Sequence, residues 1–247
     1  MSEFTTTGRR NKSDEIVDSL LEQIFGGHYL PGEKLPPERD LAASFATNRH
    51  TLREALRNLQ TLRVVSARQG DGQRVMDYET DGEINLLPHY LRHSKDDVGR
   101  LQAISDMLAL RRVLLGEVCA LTARHGSLED RAALEDLMVR QRSNEGQPEL
   151  LIITDLEIAM TMVRASGSLA YRWIFNTMAQ LFAEIAFQWP LLWVYPADYI
   201  ESLARVVAEV AAGDEVGARE AMDGHLRRSD EVIMETLNRL GNLQPAK

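Results

Sequence analysis

The chain has 247 residues, 44% hydrophobic and 26% charged, with a formal net charge of -9 and a single cysteine. That composition suits a globular protein with enough apolar material for two ordinary domains, and one cysteine excludes an internal disulfide. No apolar run is long enough for a membrane-spanning helix, so no membrane partner is expected.

The opening MSEFTTTGRRNKSDE is charged and lacks the apolar stretch of a secretory signal. With Cys119 read as a buried small hydrophobe in LLGEVCALTA, the expected compartment is the reducing cytoplasm. KSDEIVDSLLEQIFGG predicts a first helix: Asp14 and Glu15 suit its first turn, and Ile16, Leu20, Leu21, Ile24 and Phe25 form its apolar stripe. The prolines and glycines of GGHYLPGEKLPP predict a loop. PPERDLAASFA predicts a short second helix with a proline start, and NRHTLREALRNLQTL a third. RVVSARQGDGQRVMD reads as two short strands about a Gln-Gly-Asp-Gly turn. Three helices and a hairpin within residues 1–78 predict a winged helix-turn-helix.

Residues 79–97 read as a linker holding one short amphipathic helix. Beyond it, long helices are predicted at about 98–125, 128–144, 148–166, 168–188, 196–212 and 215–240, separated by short turns. The expected fold is mainly α: an N-terminal winged helix-turn-helix and, over residues 98–247, a C-terminal antiparallel all-helical bundle.

The charge is unevenly placed. Residues 1–78 carry 11 Lys+Arg against 11 Asp+Glu, so the remainder of the chain holds the whole negative excess. Between residues 39 and 74 seven arginines face only Asp40, Glu54 and Asp71. Such a patch attracts a polyanion at contact distance, because salt screens the distant acidic half. On the third helix Arg49, Arg53 and Arg57 recur every four residues, while Leu52, Ala55, Leu56 and Leu59 mark another face for burial. Arg49 and Arg53 stand in the first turns with Asn48, His50 and Thr51 beside them. An arginine fork matches guanine O6 and N7 together, so the segment reads as a helix for the major groove rather than a solvated face.

Here the residues resemble a family. Pro31-Gly32, Leu35-Pro36, Glu38-Arg39, Leu41-Ala42, Arg49, Arg53-Glu54-Ala55-Leu56 and Gly70-Asp71-Gly72 reproduce the spacing of the winged-helix domain of GntR-family bacterial transcription regulators. Ala46-Thr47 departs from the Gly-Val often found there, and Asn48 and His50 from Ser and Thr. The resemblance implies DNA contacts by Arg39, Asn48, Arg49, His50, Thr51 and Arg53, with Gln69 and Gly70 at the wing tip. For Arg39 the alternative is a surface pair with Glu38 or Asp40. For Gly70 and Gly72 it is a turn requirement alone.

The helical half resembles the FadR-type branch, most of whose members hold a divalent metal with one Asp and three His. Asp155 and His225 match that pattern, but Ala159 and Leu203 stand at two His positions, so no metal and no cofactor is expected. His89 and His93 form another i, i+4 pair, which reads as surface because no cysteine or carboxylate motif accompanies it. Similarity to the branch's fatty-acid-responsive members implies an acidic effector, a long-chain acyl-CoA first and a small organic acid as the alternative. Loss of two His makes the cavity drier, which suits an acyl chain. Arg111, in an apolar stretch, is either the anchor for the acid or one half of a buried pair with Asp155 or Glu157. Asn176 either binds the effector or caps a turn, and Asp155 and His225 either touch the effector or hydrogen-bond each other. Tyr171, Trp173, Phe182, Phe187, Trp189 and Trp193 read as core or dimer seam. No nucleophile elbow, P-loop, dinucleotide fingerprint or His-Glu-x-x-His is present, so an enzyme is not expected. The expected partners are double-stranded palindromic operator DNA, an acidic small molecule and a second copy of the chain.

Overall fold

The computed structural model describes residues 11–68, 71–189 and 194–240. Packing divides the chain between Asp96 and Asp97 into two compact units, each with its own apolar core.

The first unit begins with α1 (Lys12–Phe25). Asn11 caps it reciprocally: its side chain accepts from Asp14 N–H at 2.9 Å, and the Asp14 carboxylate accepts from Asn11 N–H at 3.3 Å. Ile16, Leu20, Leu21 and Ile24 are buried as their spacing predicts. α2 (Glu38–Ser44) and α3 (Arg49–Thr61) follow, and Leu52, Ala55, Leu56 and Leu59 bury one face of α3. β1 (Val65–Arg68) and β2 (Gly72–Val75) pair antiparallel, with Val65 opposite Val75. The loop at residues 32–35 is more ordered than its prolines and glycines predict. Gly32 and Leu35 N–H groups donate to Val75 and Gln73 carbonyls, and Val75 N–H donates to Glu33 O, so a third segment flanks β2. A short α4 (Tyr78–Asp81) and a 3₁₀ turn lead to α5 (Leu87–His93), which packs on α1.

The turn between α2 and α3 explains one departure from the family pattern. Ala46 has φ 47°, the left-handed region, just past the end of α2. Thr47 N–H donates to Ala42 O at 2.9 Å and Ala46 N–H to Ala43 O at 3.1 Å, the paired closure of a Schellman turn. Glycine takes that conformation without a Cβ penalty, whereas alanine carries strain.

The second unit is all helical: α6 (Asp97–His125), α7 (Leu128–Ser143), α8 (Pro148–Ala165), α9 (Leu169–Gln188), α10 (Tyr199–Ala212) and α11 (Glu215–Leu240). α6 packs most extensively on α11, and α10 and α11 form a hairpin closed by Gly213 at φ 75°. Val118, Cys119, Met162, Val163, Val206, Val210 and Ala218 form the centre of its core. Burial pushes the Cys119 thiol well above its ordinary pKa, so it is inert packing. Trp189 is buried, Trp173 is 64% exposed, the Phe187 side chain and Trp193 lie outside the described residues, and Tyr171 packs against the core. Among the described residues no helix is long and apolar enough to cross a membrane.

Candidate functional site

The exposed face of α3 is basic at its start. Asn48 caps the helix, its Oδ1 accepting from Thr51 N–H at 2.9 Å. Arg49, His50, Arg53 and Arg57 are exposed while Thr51 is half-buried. The arginines differ in what holds them. Arg53 Nε donates to Glu38 Oε2 at 2.9 Å, and Arg39 Nε to its neighbour Asp40 at 3.1 Å, the surface alternative weighed for it above. Among the described residues Arg49 and Arg57 have no carboxylate partner. Gln69 and Gly70 lie outside the described residues. In the turn of the wing Asp71 is engaged by both Lys34 and Arg74, Arg74 at 2.8 Å, and they hold its carboxyl down at about 2. That carboxylate therefore does not repel a phosphate as a bare charge would.

Inside the second unit Asp155, Ala159, Leu203 and His225, the four positions carried over from the family's metal site, line one cavity of about 110 Å³. Its wall is otherwise mostly apolar, with Phe175 and Phe182 from α9 and Ile158 and Met162 from α8. The polar groups are arranged differently from expectation. Asp155 and His225 do not bond each other. Tyr199, four residues before Leu203 and so on the same face of α10, touches both: its hydroxyl donates to Asp155 Oδ2 at 2.6 Å, and its ring centre lies 4.6 Å from that of His225. Gln141 Nε2 donates to Asp155 Oδ1 at 2.5 Å, and His225 Nδ1 meets Ser202 Oγ at 2.8 Å. Burial raises the Asp155 carboxyl to about 7, against the hydrogen bonds from Tyr199 and the field of Arg111. Burial, reinforced by Arg111 and Arg228, lowers His225 to about 3, so it is neutral at physiological pH.

This donor set does not fit a metal. Ala159 and Leu203 offer no ligand atom and both Asp155 oxygens accept protein hydrogen bonds, which leaves the His225 imidazole as the one uncommitted ligand of the four positions. Arg111 pairs with neither Asp155 nor Glu157. Its Nη2 donates to Asp230 at 2.5 Å, Arg112 takes the other Asp230 oxygen at 2.6 Å, and Glu157 pairs with Arg140. Asp230 lies on α11, 119 residues from Arg111, and nothing local in sequence connects them. The Arg111 guanidinium sits 5.5 Å from the Phe182 ring centre, and its buried Nε is without a hydrogen-bond partner among the described residues. Asn176 is exposed on α9 and stands outside the cavity wall, which takes Phe175 and Phe182 from that helix.

Residues 12–75 match the bacterial regulatory proteins of the gntR family, and residues 106–228 match the FCD domain. An uncharacterized HTH-type transcriptional regulator of Mycobacterium tuberculosis is 30% identical over 177 residues, covering 70% of this chain and 71% of its own. The chain belongs to the GntR family. This GntR regulator is also similar to the fatty acid metabolism regulator protein of Serratia proteamaculans, 25% identical over 67% of each chain. In fold it resembles Lar, which controls expression of the Listeria monocytogenes agr system: TM-score 0.55 and 16% identity, covering 97% of this chain and all of that one. The family's members are transcriptional regulators rather than enzymes, and its FCD domain is the effector-binding half.

Proposed function

We propose that this GntR regulator binds a palindromic operator as a homodimer, inserting the start of α3 into the major groove. The FCD cavity sets its affinity by taking up, without metal, a small organic acid that has an apolar body. The exposed Arg49, which has no carboxylate partner among the described residues, supports the first part. The observation that carries the second is the convergence of Asp155, Ala159, Leu203, His225 and Arg111 on one largely apolar cavity. Arg111 Nε supplies a charged donor to a carboxylate, and Phe175, Phe182 and Leu203 accept the apolar body.

Long-chain acyl-CoA is the second reading, favoured by the apolar wall and by the similarity to a fatty acid metabolism regulator. A cavity of about 110 Å³ favours the smaller ligand. It is below the ~150 Å³ hole that holds a benzene ring, so a long chain exceeds it by far more than a short carboxylate does. An operator gel shift titrated with short- and medium-chain carboxylates and with acyl-CoA, each with and without chelator, tests the proposal. Release by carboxylates that persists in chelator supports it. Release by acyl-CoA alone transfers the assignment to the second reading, and no response to any of them removes the cavity from the mechanism.

A further inference from the structure

The first unit brings Asp18, distant in sequence, to the pair His89 and His93. His89 and His93 stand one turn apart on α5, their rings stacked with centres 6.4 Å apart and planes at 14°. α5 packs on α1, and Asp18 of α1 reaches His93, its Oδ1 lying 3.0 Å from Nε2. One ligand atom from each of Asp18, His89 and His93 falls within 4.8 Å of the other two. Tetrahedral zinc with ~2.0–2.1 Å bonds places its ligands about 3.3 Å apart, so small side-chain rotations close the set.

We propose that Asp18, His89 and His93 bind a divalent transition metal of the Zn²⁺ class, which clips α5 to α1. An Asp-His₂ set supplies two borderline imidazole nitrogens and one carboxylate oxygen, a mix zinc accepts, and leaves the fourth position to water. The His93 and Asp18 side chains are only 10% and 22% exposed, so the site is sheltered yet reachable. His89 Nδ1 is buried without a hydrogen-bond partner among the described residues, the kind of orphan that a bound ion or its water relieves. Asp18 and His89, though not His93, line a recess together with Asp14 and Arg92; the carboxylate favours a cation there and the guanidinium opposes it. Val17 and, from the C-terminal end of α3, Asn58, Thr61 and Leu62 line the rest of that recess. The site is separate from the FCD cavity and independent of the effector reading.

The test is a calorimetric titration of the metal-free full chain with ZnSO₄, repeated on His89→Gln, Asp18→Asn and His225→Gln, with circular dichroism to show that each variant is folded. The expected result is one Zn²⁺ per chain, with affinity lowered about tenfold or more by His89→Gln and Asp18→Asn and unchanged by His225→Gln. Co²⁺ added to the unaltered chain is expected to give the intense visible bands of a four-coordinate site, a readout that needs no variant. No uptake by the unaltered chain overturns the proposal. So does uptake that His225→Gln abolishes, or uptake indifferent to His89 and Asp18.

Discussion

Ala46 holds a left-handed backbone with φ 47° at the joint between α2 and α3, where an L-residue pays about 1–2 kcal/mol. Ala46→Gly relieves that strain but loosens the unfolded chain by about 0.4–1 kcal/mol, so a net stabilisation of up to about 1.6 kcal/mol is expected in urea unfolding. In the cavity Asp155 and His225 act oppositely on stability. Asp155 is raised from 3.8 to about 7, so between those values the folded state holds a proton that the unfolded state has lost, and stability falls as pH rises. His225 is lowered from 6.5 to about 3, so in that window the unfolded state holds the extra proton and stability rises with pH. The two trends offset one another between about pH 4 and 6.5. Asp155→Asn removes one of them. Unfolding free energies of that variant are expected to climb more steeply with pH across this window than those of the unaltered chain.

At the scale of the element, α3 depends on its cap as well as its arginines. Asn48→Ala removes the acceptor for Thr51 N–H and is expected to cost about 0.5–2 kcal/mol of stability, measured by urea unfolding. Asn48→Ser keeps a capping oxygen, so loss of operator affinity in that variant reports a DNA contact and not a frayed helix. Arg49→Ala, exposed and outside the buried face, is expected to leave stability unchanged and weaken operator binding by about 1–3 kcal/mol in a gel-shift titration. Arg39 is mostly exposed and paired with its own neighbour, so its substitution is expected to do less.

For the whole molecule, the proposed dimer on a palindrome makes a geometric demand. Half-sites one helical turn apart, about 34–36 Å, present the same groove to both copies of α3. Inserting half a turn of DNA between them rotates one half-site to the far side. A shift to single-copy binding is expected in footprinting, and an unchanged two-site footprint refutes the two-fold arrangement.

Most elements were legible in the sequence because their signals are local. Asp14 and Glu15 mark the first turn of α1, Pro36 and Pro37 stand at the start of α2, and the spacing of Leu52, Ala55, Leu56 and Leu59 marks a buried face. Each depends on residues within a turn or two of one another, so composition and period determined the winged helix, the helical half and the position of Arg49. Contacts between distant segments carry no such period. The sharing of Asp230 by Arg111 and Arg112, the Tyr199 hydroxyl on Asp155, the exposure of Asn176 and the approach of Asp18 to His93 arise only when helices far apart in the chain pack together. Packing is specified by the joint shape of many side chains, and for that reason the tertiary structure alone decided the chemistry of both the cavity and the histidine pair.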